Sequence, residues 1–167
     1  MILRQLNLIQ QLNANKDSVN KFILEYLPQR GEVKEIQLLY KMMRDYPSRP
    51  GKGLRSSLCI FTCETFGGDK EKAIRTAAAL EVFQSWILIH DDIEDSSELR
   101  RGEPVLHRKY GIPMAINTGD ALHAKMWDIL MGNQEILGKN KTMEIIKEFL
   151  RMINETTSGG ICINDTL

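Results

Sequence analysis

Residues 85–101 read SWILIHDDIEDSSELRR. The segment begins with an apolar run, Trp86–Ile89, and ends with two adjacent arginines, Arg100 and Arg101. Between them are four carboxylates within five residues, Asp91, Asp92, Glu94 and Asp95. If one helix carries the apolar run into this cluster, the carboxylates lie near the negative end of the helix dipole and repel one another. The segment is therefore better suited to binding a cation than to stabilising a fold.

Two of these carboxylates have the spacing of a metal site. Asp91 and Asp95 are four residues apart, which on a helix places their Cβ atoms about 5–6 Å apart on one face. Mg²⁺ prefers oxygen ligands and is commonly bound by one or two carboxylates together with waters and substrate phosphates. The adjacent arginines are suited to bidentate contacts with phosphate. We therefore predict that Asp91 and Asp95 bind Mg²⁺ beside a diphosphate, with His90 as a candidate to orient a carboxylate. A solvated helix end is the alternative.

The segment Pro50-Gly51-Lys52-Gly53-Leu54-Arg55 is a second candidate for binding an anion. Its glycines let the backbone approach a ligand closely. Lys52 and Arg55 lie at the predicted start of a helix, whose free N–H groups favour anions. The GxxxxGK[ST] pattern of a P-loop is absent here. An ordinary turn is the alternative interpretation of this segment.

Three consecutive motifs closely resemble the first aspartate-rich region of the trans-isoprenyl diphosphate synthases, also called the polyprenyl synthetase family. They are Asp91-Asp92-Ile93-Glu94-Asp95, Leu99-Arg100-Arg101-Gly102 and Pro104-Val105-Leu106-His107. The PGKGLR segment resembles the diphosphate-binding loop of the same family, and its form is most like that of the geranylgeranyl diphosphate synthases. Three positions depart from the common pattern: many members have a basic residue in place of Gly53, a proline in place of Ser56 and a histidine in place of Gln84.

The resemblance implies a prenyltransferase that condenses isopentenyl diphosphate with an allylic diphosphate, with geranylgeranyl diphosphate as the expected product. Asp91, Asp92 and Asp95 would be the catalytic carboxylates, and Mg²⁺ would bind to Asp91 and Asp95. Arg100 would bind the allylic diphosphate. Isopentenyl diphosphate would be bound by Lys52, Arg55, Gln84 and Arg101.

The same resemblance implies that Trp86 and Ile87, about one turn before Asp91, determine product length. Side chains at this point form the floor of the tunnel into which the growing chain extends, so a bulkier residue stops growth earlier. A plain core position is the alternative for Trp86, and a hydrogen-bonded core amide is the alternative for Gln84.

Apolar residues recur at helical spacing along the chain, and no segment alternates convincingly as a strand. We predict one interrupted helix or two short ones before Pro28, a helix ending before Pro47, a long helix from about Lys70 to His90 or beyond, and a last helix ending by Gly159-Gly160. The predicted fold is a single all-α domain over residues 1–167, a helical bundle of the isoprenoid synthase type with its site between helices. The family's second aspartate-rich segment is not found, so we expect the chain to correspond to the N-terminal half of that bundle.

The composition and charge of the chain argue against several other classes of protein. The 22 basic and 22 acidic residues give a net charge of zero, which argues against nucleic-acid binding through a global field. No apolar stretch reaches the roughly 18 residues of a membrane-spanning helix. Three cysteines without a disulfide pattern, and a start without a signal-peptide layout, favour a reduced, cytoplasmic protein. The resemblance implies a homodimer. A non-catalytic or regulatory synthase-like subunit, an inactive fragment and a terpene cyclase remain alternatives.

Overall fold

The computed structural model describes the backbone of residues 2–164 and the side chains of residues 7–158. Helices account for most of this part of the chain, and the predicted all-α class is confirmed. The elements, in chain order, are α1 (Ile2–Tyr26), α2 (Lys34–Ser48), α3 (Leu54–Thr65), α4 (Lys70–Glu94), β1 (Leu99–Arg100), β2 (Glu103–Pro104), α5 (Leu106–Tyr110), α6 (Ile112–Met131), α7 (Gln134–Leu137) and α8 (Lys139–Asn164).

Helix α4 is the centre of the bundle and packs against α1, α2, α3, α5 and α6. Its start is capped by Asp69, whose side chain accepts a hydrogen bond from the Glu71 N–H at 3.0 Å. Buried alanines in its middle, Ala77–Ala79, allow neighbouring helices to approach closely. Gly119 of α6 serves the same purpose further along, because a Cβ there would lie 2.4 Å from Nε2 of His90. The packing of α4 therefore places its acidic end at the edge of a well-filled core.

Four details of the sequence-based prediction are wrong. A two-stranded antiparallel ribbon, β1 and β2, occupies residues 99–104, where we expected no strand. Helix α2 continues through Pro47 to Ser48, where the missing N–H of the proline removes only one helical hydrogen bond near the end of the helix. Helix α8 continues through Gly159-Gly160 as far as Asn164. Helix α1 is one unbroken helix over Ile2–Tyr26, whereas we expected an interrupted helix or two short ones.

Many large apolar side chains remain exposed to solvent, including Leu58 at 62% and Phe66 at 87%. Between residues 2 and 164, each helix is either too short or too polar to pass through a lipid bilayer.

Candidate active site

Asp91 and Asp95 lie one turn apart at the C-terminal end of α4, as predicted. The Asp91 side chain is 47% exposed, and Asp95 is an exposed residue at the helix C-cap. Among the described residues, no three His, Cys, Asp or Glu side chains form a metal-binding group. A pair of accessible carboxylates nevertheless fits Mg²⁺, which completes its coordination with water and substrate phosphate. These two residues are therefore the ones that would hold the ion.

Asp92 lies between them in sequence but faces the interior. Its side chain is fully buried and accepts hydrogen bonds from the Tyr46 hydroxyl on one oxygen and from Arg100 on the other. The Arg100 contacts are 2.8 Å from Nε and 2.6 Å from Nη2, and Nη2 also lies 3.4 Å from Asp91 Oδ2. Asp92 therefore holds the Arg100 guanidinium beside Asp91.

The electrostatics of this cluster fix the charge states of Tyr46 and Arg100. Burial raises the pKa of the Tyr46 hydroxyl strongly, and the hydrogen bond to Asp92 raises it further. The hydrogen bond to Asp92 is also the main reason why the pKa of Arg100 is raised. Tyr46 is therefore a neutral donor and Arg100 a cation at any physiological pH.

Arg49 holds the ribbon against the end of α2 and was not singled out from the sequence. Its guanidinium donates to the carbonyl oxygens of Arg100 at 2.9 Å, Glu103 at 3.3 Å and Pro104 at 2.7 Å. Its Nε donates to Asp45 at 2.6 Å, and its Cζ atom lies 4.4 Å from the centre of the Tyr46 ring. No local signal identifies this residue, because its main partners are backbone carbonyls more than 50 residues away along the chain.

The ribbon turn separates the two adjacent arginines. Its central residues, Arg101 and Gly102, have φ angles of +54° and +82°, as a two-residue turn of type I′ requires. An arginine in this conformation costs about 1 kcal/mol or more. Arg100 is directed to Asp92, whereas Nη1 of Arg101 donates to the Arg49 carbonyl at 3.2 Å. The ribbon thus places one arginine beside the carboxylates and the other beside the PGKGLR loop.

The predicted diphosphate-binding residues meet in two adjoining spaces beside that loop. An open groove of about 520 Å³, the outer groove, is lined by Lys52, Arg55 and Arg101 together with Glu81. A small space of about 20 Å³, the inner cavity, shares Arg101 and Glu81 with the groove and is also lined by Gln84. All four residues that we expected to bind isopentenyl diphosphate are therefore brought together.

Glu81 is a second residue that the sequence did not reveal. One of its carboxylate oxygens accepts hydrogen bonds from the Ser56 N–H at 3.2 Å and from the Ser56 hydroxyl at 2.7 Å. Ser56 is in the first turn of α3, where backbone N–H groups lack helical partners. Glu81 therefore anchors the start of α3 and, with it, the loop that carries Lys52 and Arg55.

Trp86 belongs to an aromatic group between α4 and α6. Its ring stacks on His123 with centroids 4.0 Å apart and planes inclined by 13°. Nε2 of His123 accepts a hydrogen bond from the Trp127 indole at 2.9 Å, and burial lowers the pKa of His123. Both effects favour a neutral imidazole. His90 lies beside this group, with its Nε2 nearest to Asp120 Oδ1, at 3.5 Å, and not to a carboxylate of the acidic cluster.

Comparison with known proteins places these features in one family. Residues 36–162 match the family model described as polyprenyl synthetase. The chain is 40% identical over 118 residues to geranylgeranyl diphosphate synthase of Sulfolobus acidocaldarius, covering 71% of this chain and 34% of that protein. It is 34% identical over 155 residues to geranylgeranyl diphosphate synthase of Cyanophora paradoxa, covering 92% of this chain and 50% of that protein.

The fold leads to the same group of proteins. The crystal structure of geranylgeranyl pyrophosphate synthetase from Pyrococcus horikoshii is similar with a TM-score of 0.83 and 29% identity, over 94% of this chain and 46% of that chain. This chain spans about a third to a half of the length of these relatives. By its sequence match and its fold, the chain belongs to the polyprenyl synthetase family.

Proposed function

We propose that the complete protein is a prenyltransferase that condenses isopentenyl diphosphate with an allylic diphosphate and makes geranylgeranyl diphosphate. The observation that carries this proposal is the division of the two arginines by the ribbon turn. Arg100 lies with the carboxylates and Arg101 with the outer groove. Two separate anion sites side by side suit a reaction between two diphosphates. A terpene cyclase needs no second diphosphate site, so the groove favours the prenyltransferase over it.

In the proposed reaction, Lys52, Arg55 and Arg101 bind the diphosphate of isopentenyl diphosphate, and Gln84 adds a hydrogen bond through its amide. The allylic diphosphate lies against Asp91 and Asp95, with Mg²⁺ supplying charge neutralisation of the leaving diphosphate when it is bound. The chain itself contributes position and charge: the two substrates are held side by side, and fixed cations face their anionic groups.

The carbon–oxygen bond of the allylic substrate breaks, and its electron pair leaves with the diphosphate. The double bond of isopentenyl diphosphate then forms the new carbon–carbon bond, and a proton is lost. Arg100 faces the leaving group because Asp92 holds it there. Apolar side chains of α4 such as Ile87 help to exclude water from the cation that forms.

The proposal also covers the metal, the assembly and the cellular location. We propose Mg²⁺ as the metal because the accessible ligands are carboxylates, and a homodimer because apolar side chains such as Leu58 and Phe66 are exposed. A cytoplasmic location agrees with Cys59 and Cys63, which are both unbridged. We also propose that residues 1–167 form part of one domain.

Product formation tests the function directly. The chain is incubated with Mg²⁺, radiolabelled isopentenyl diphosphate and either geranyl or farnesyl diphosphate, and extractable prenyl product is counted. We expect Asp91→Ala to reduce turnover about 100- to 1,000-fold, since it removes a ligand worth several kcal/mol in the transition state. Glu94→Ala is the matched control, because it removes the same charge from an exposed neighbouring position and leaves turnover nearly unchanged.

Binding measurements separate the remaining outcomes. Binding of geranyl diphosphate with Mg²⁺, lost in Asp91→Ala but without product from either chain, would support the allylic site and indicate a non-catalytic subunit or an inactive fragment. A chain that neither elongates nor binds either diphosphate contradicts the proposed function.

Trp86→Ala is expected to shift the product of the active protein towards longer chains. Removal of the indole opens space beside His123 into which additional isoprene units extend. Trp86→Phe, which keeps an aromatic ring at this point, should leave the distribution close to that of the unsubstituted protein. Chromatography of the dephosphorylated products measures the outcome. An unchanged distribution in Trp86→Ala would assign the residue to the core alone.

A further inference from the structure

Lys16 of α1 lies directly against Gly53 in the PGKGLR loop. A Cβ built on Gly53 would be 2.7 Å from Cγ and 2.8 Å from Cβ of Lys16, so the lysine stem occupies the space that a side chain at position 53 would need. Gly53 also has a φ of +59°, which residues with a side chain rarely adopt. At this point the loop contributes only backbone, and α1 contributes the side chain.

Lys16 also lines the inner cavity, together with Gln84 and Arg101. The inner cavity and the outer groove share Gly53, Glu81 and Arg101, so the two spaces adjoin along a common wall. The inner cavity has room for about one water molecule, whereas the outer groove is large enough for a diphosphate. Lys16 is therefore at the inner end of the surface on which Lys52 and Arg55 lie.

The charge of Lys16 is available for a ligand. Its neighbour on the same helix, Lys21, pairs with Glu25 at 3.9 Å, whereas Lys16 takes part in none of the ion pairs within the described residues. The carboxylate of Glu81, which lines the same cavity, is engaged by Ser56. The two spaces are lined by one carboxylate, Glu81, and by five cations, Lys16, Arg49, Lys52, Arg55 and Arg101. Arg49 is paired with Asp45, which leaves four cations that a bound anion stabilises.

We propose that Lys16 is a further binding residue for the diphosphate of isopentenyl diphosphate; this rests on the proposed function of the outer groove. Its ammonium brings from α1 a positive charge that neither Gly53 nor the neutral amide of Gln84 provides. The loop and α1 together form the site, so a segment far from both motifs in sequence takes part in substrate affinity.

Titration calorimetry with inorganic pyrophosphate and with isopentenyl diphosphate, both without Mg²⁺ so that the carboxylate site does not contribute, tests the proposal. Lys16→Met keeps the stem over Gly53 and removes only the charge. We expect it to weaken both affinities about fivefold to tenfold, the effect of one charged contact at a partly exposed site. Lys16→Arg should stay within about twofold of the original affinity. Lys21→Met is the matched control on the same helix and should change nothing.

Lys52→Met distinguishes a failure of the proposed role of Lys16 from a failure of the proposed function of the outer groove. If Lys52→Met weakens binding and Lys16→Met does not, the outer groove binds the diphosphate and the role of Lys16 is overturned. An equal loss in Lys16→Met and Lys21→Met also overturns it, because general charge then explains the effect. If the original chain binds neither ligand, both the proposal for Lys16 and the proposed function of the groove fail.

Discussion

Replacement of Asp92 by alanine should lower the free energy of unfolding by about 3–5 kcal/mol, the cost of leaving the partners of a buried charged group unpaired. The side chain is fully buried, and both the Tyr46 hydroxyl and the Arg100 guanidinium depend on it. Chemical unfolding in urea followed by circular dichroism measures the change. Asp95→Ala removes an exposed carboxylate from the same cluster and should alter stability by no more than about 0.5 kcal/mol.

Two further variants show whether the cluster acts as a unit. Asp92→Asn should not fully restore stability, since its neutral amide has no charge to pair with Arg100 and turns one N–H donor towards Tyr46 or Arg100. Tyr46→Phe should cost about 1–2 kcal/mol, and the double variant Tyr46→Phe/Asp92→Ala should be less unstable than the sum of both. An Asp92→Ala chain within about 1 kcal/mol of the original would show that Arg100 finds a sufficient partner in Asp91.

Arg49→Met should be comparably destabilising, by about 3–5 kcal/mol, and should also loosen the ribbon. The guanidinium is nearly buried, at 6% exposure for the residue, and holds three carbonyl groups at the ribbon. Methionine retains part of the apolar stem but none of these hydrogen bonds. We therefore expect faster hydrogen exchange at the Val105 N–H, which closes the ribbon by donating to Glu98 at 3.1 Å.

Arg49→Met should also weaken pyrophosphate binding, because the Arg49 carbonyl and the ribbon together position Arg101. Arg108→Met is the matched control, since Arg108 forms an exposed ion pair with Glu98 near the same ribbon and should contribute less than about 1 kcal/mol. Unchanged exchange at Val105 and unchanged affinity in Arg49→Met would remove Arg49 as the residue that couples α2 to the ribbon.

Much of the site was predictable because its chemistry is local in sequence. The spacing of Asp91 and Asp95 places them on one helical face wherever that helix packs, and Lys52 and Arg55 are close together because only two residues separate them. The structure agrees with both placements. The sequence also showed neutral residues at Gly53 and Gln84, where many members of the family have a basic residue and a histidine. It did not show which residue compensates for the missing positive charge.

The residues that were missed act across long distances along the chain. Arg49 contacts carbonyls in the ribbon, Glu81 contacts the first turn of α3, and His123 stacks on Trp86 from a different helix. An arginine between two prolines or a glutamate in a helix carries no local signal of such partners. The ribbon itself was missed because strands of two residues are too short to show an alternating pattern.

The sequence by itself determined that the chain is helical, which residues could bind metal and diphosphate, and which family they resemble, because helical periodicity and motif spacing are properties of nearby residues. Only the tertiary structure decided which contacts each of these residues makes. It buries Asp92 while leaving Asp91 accessible, turns Arg100 and Arg101 to different sites, and places Lys16 over Gly53. Each of these outcomes depends on the packing of helices and a ribbon that are distant in sequence, since burial and contact between such elements are set by the whole bundle.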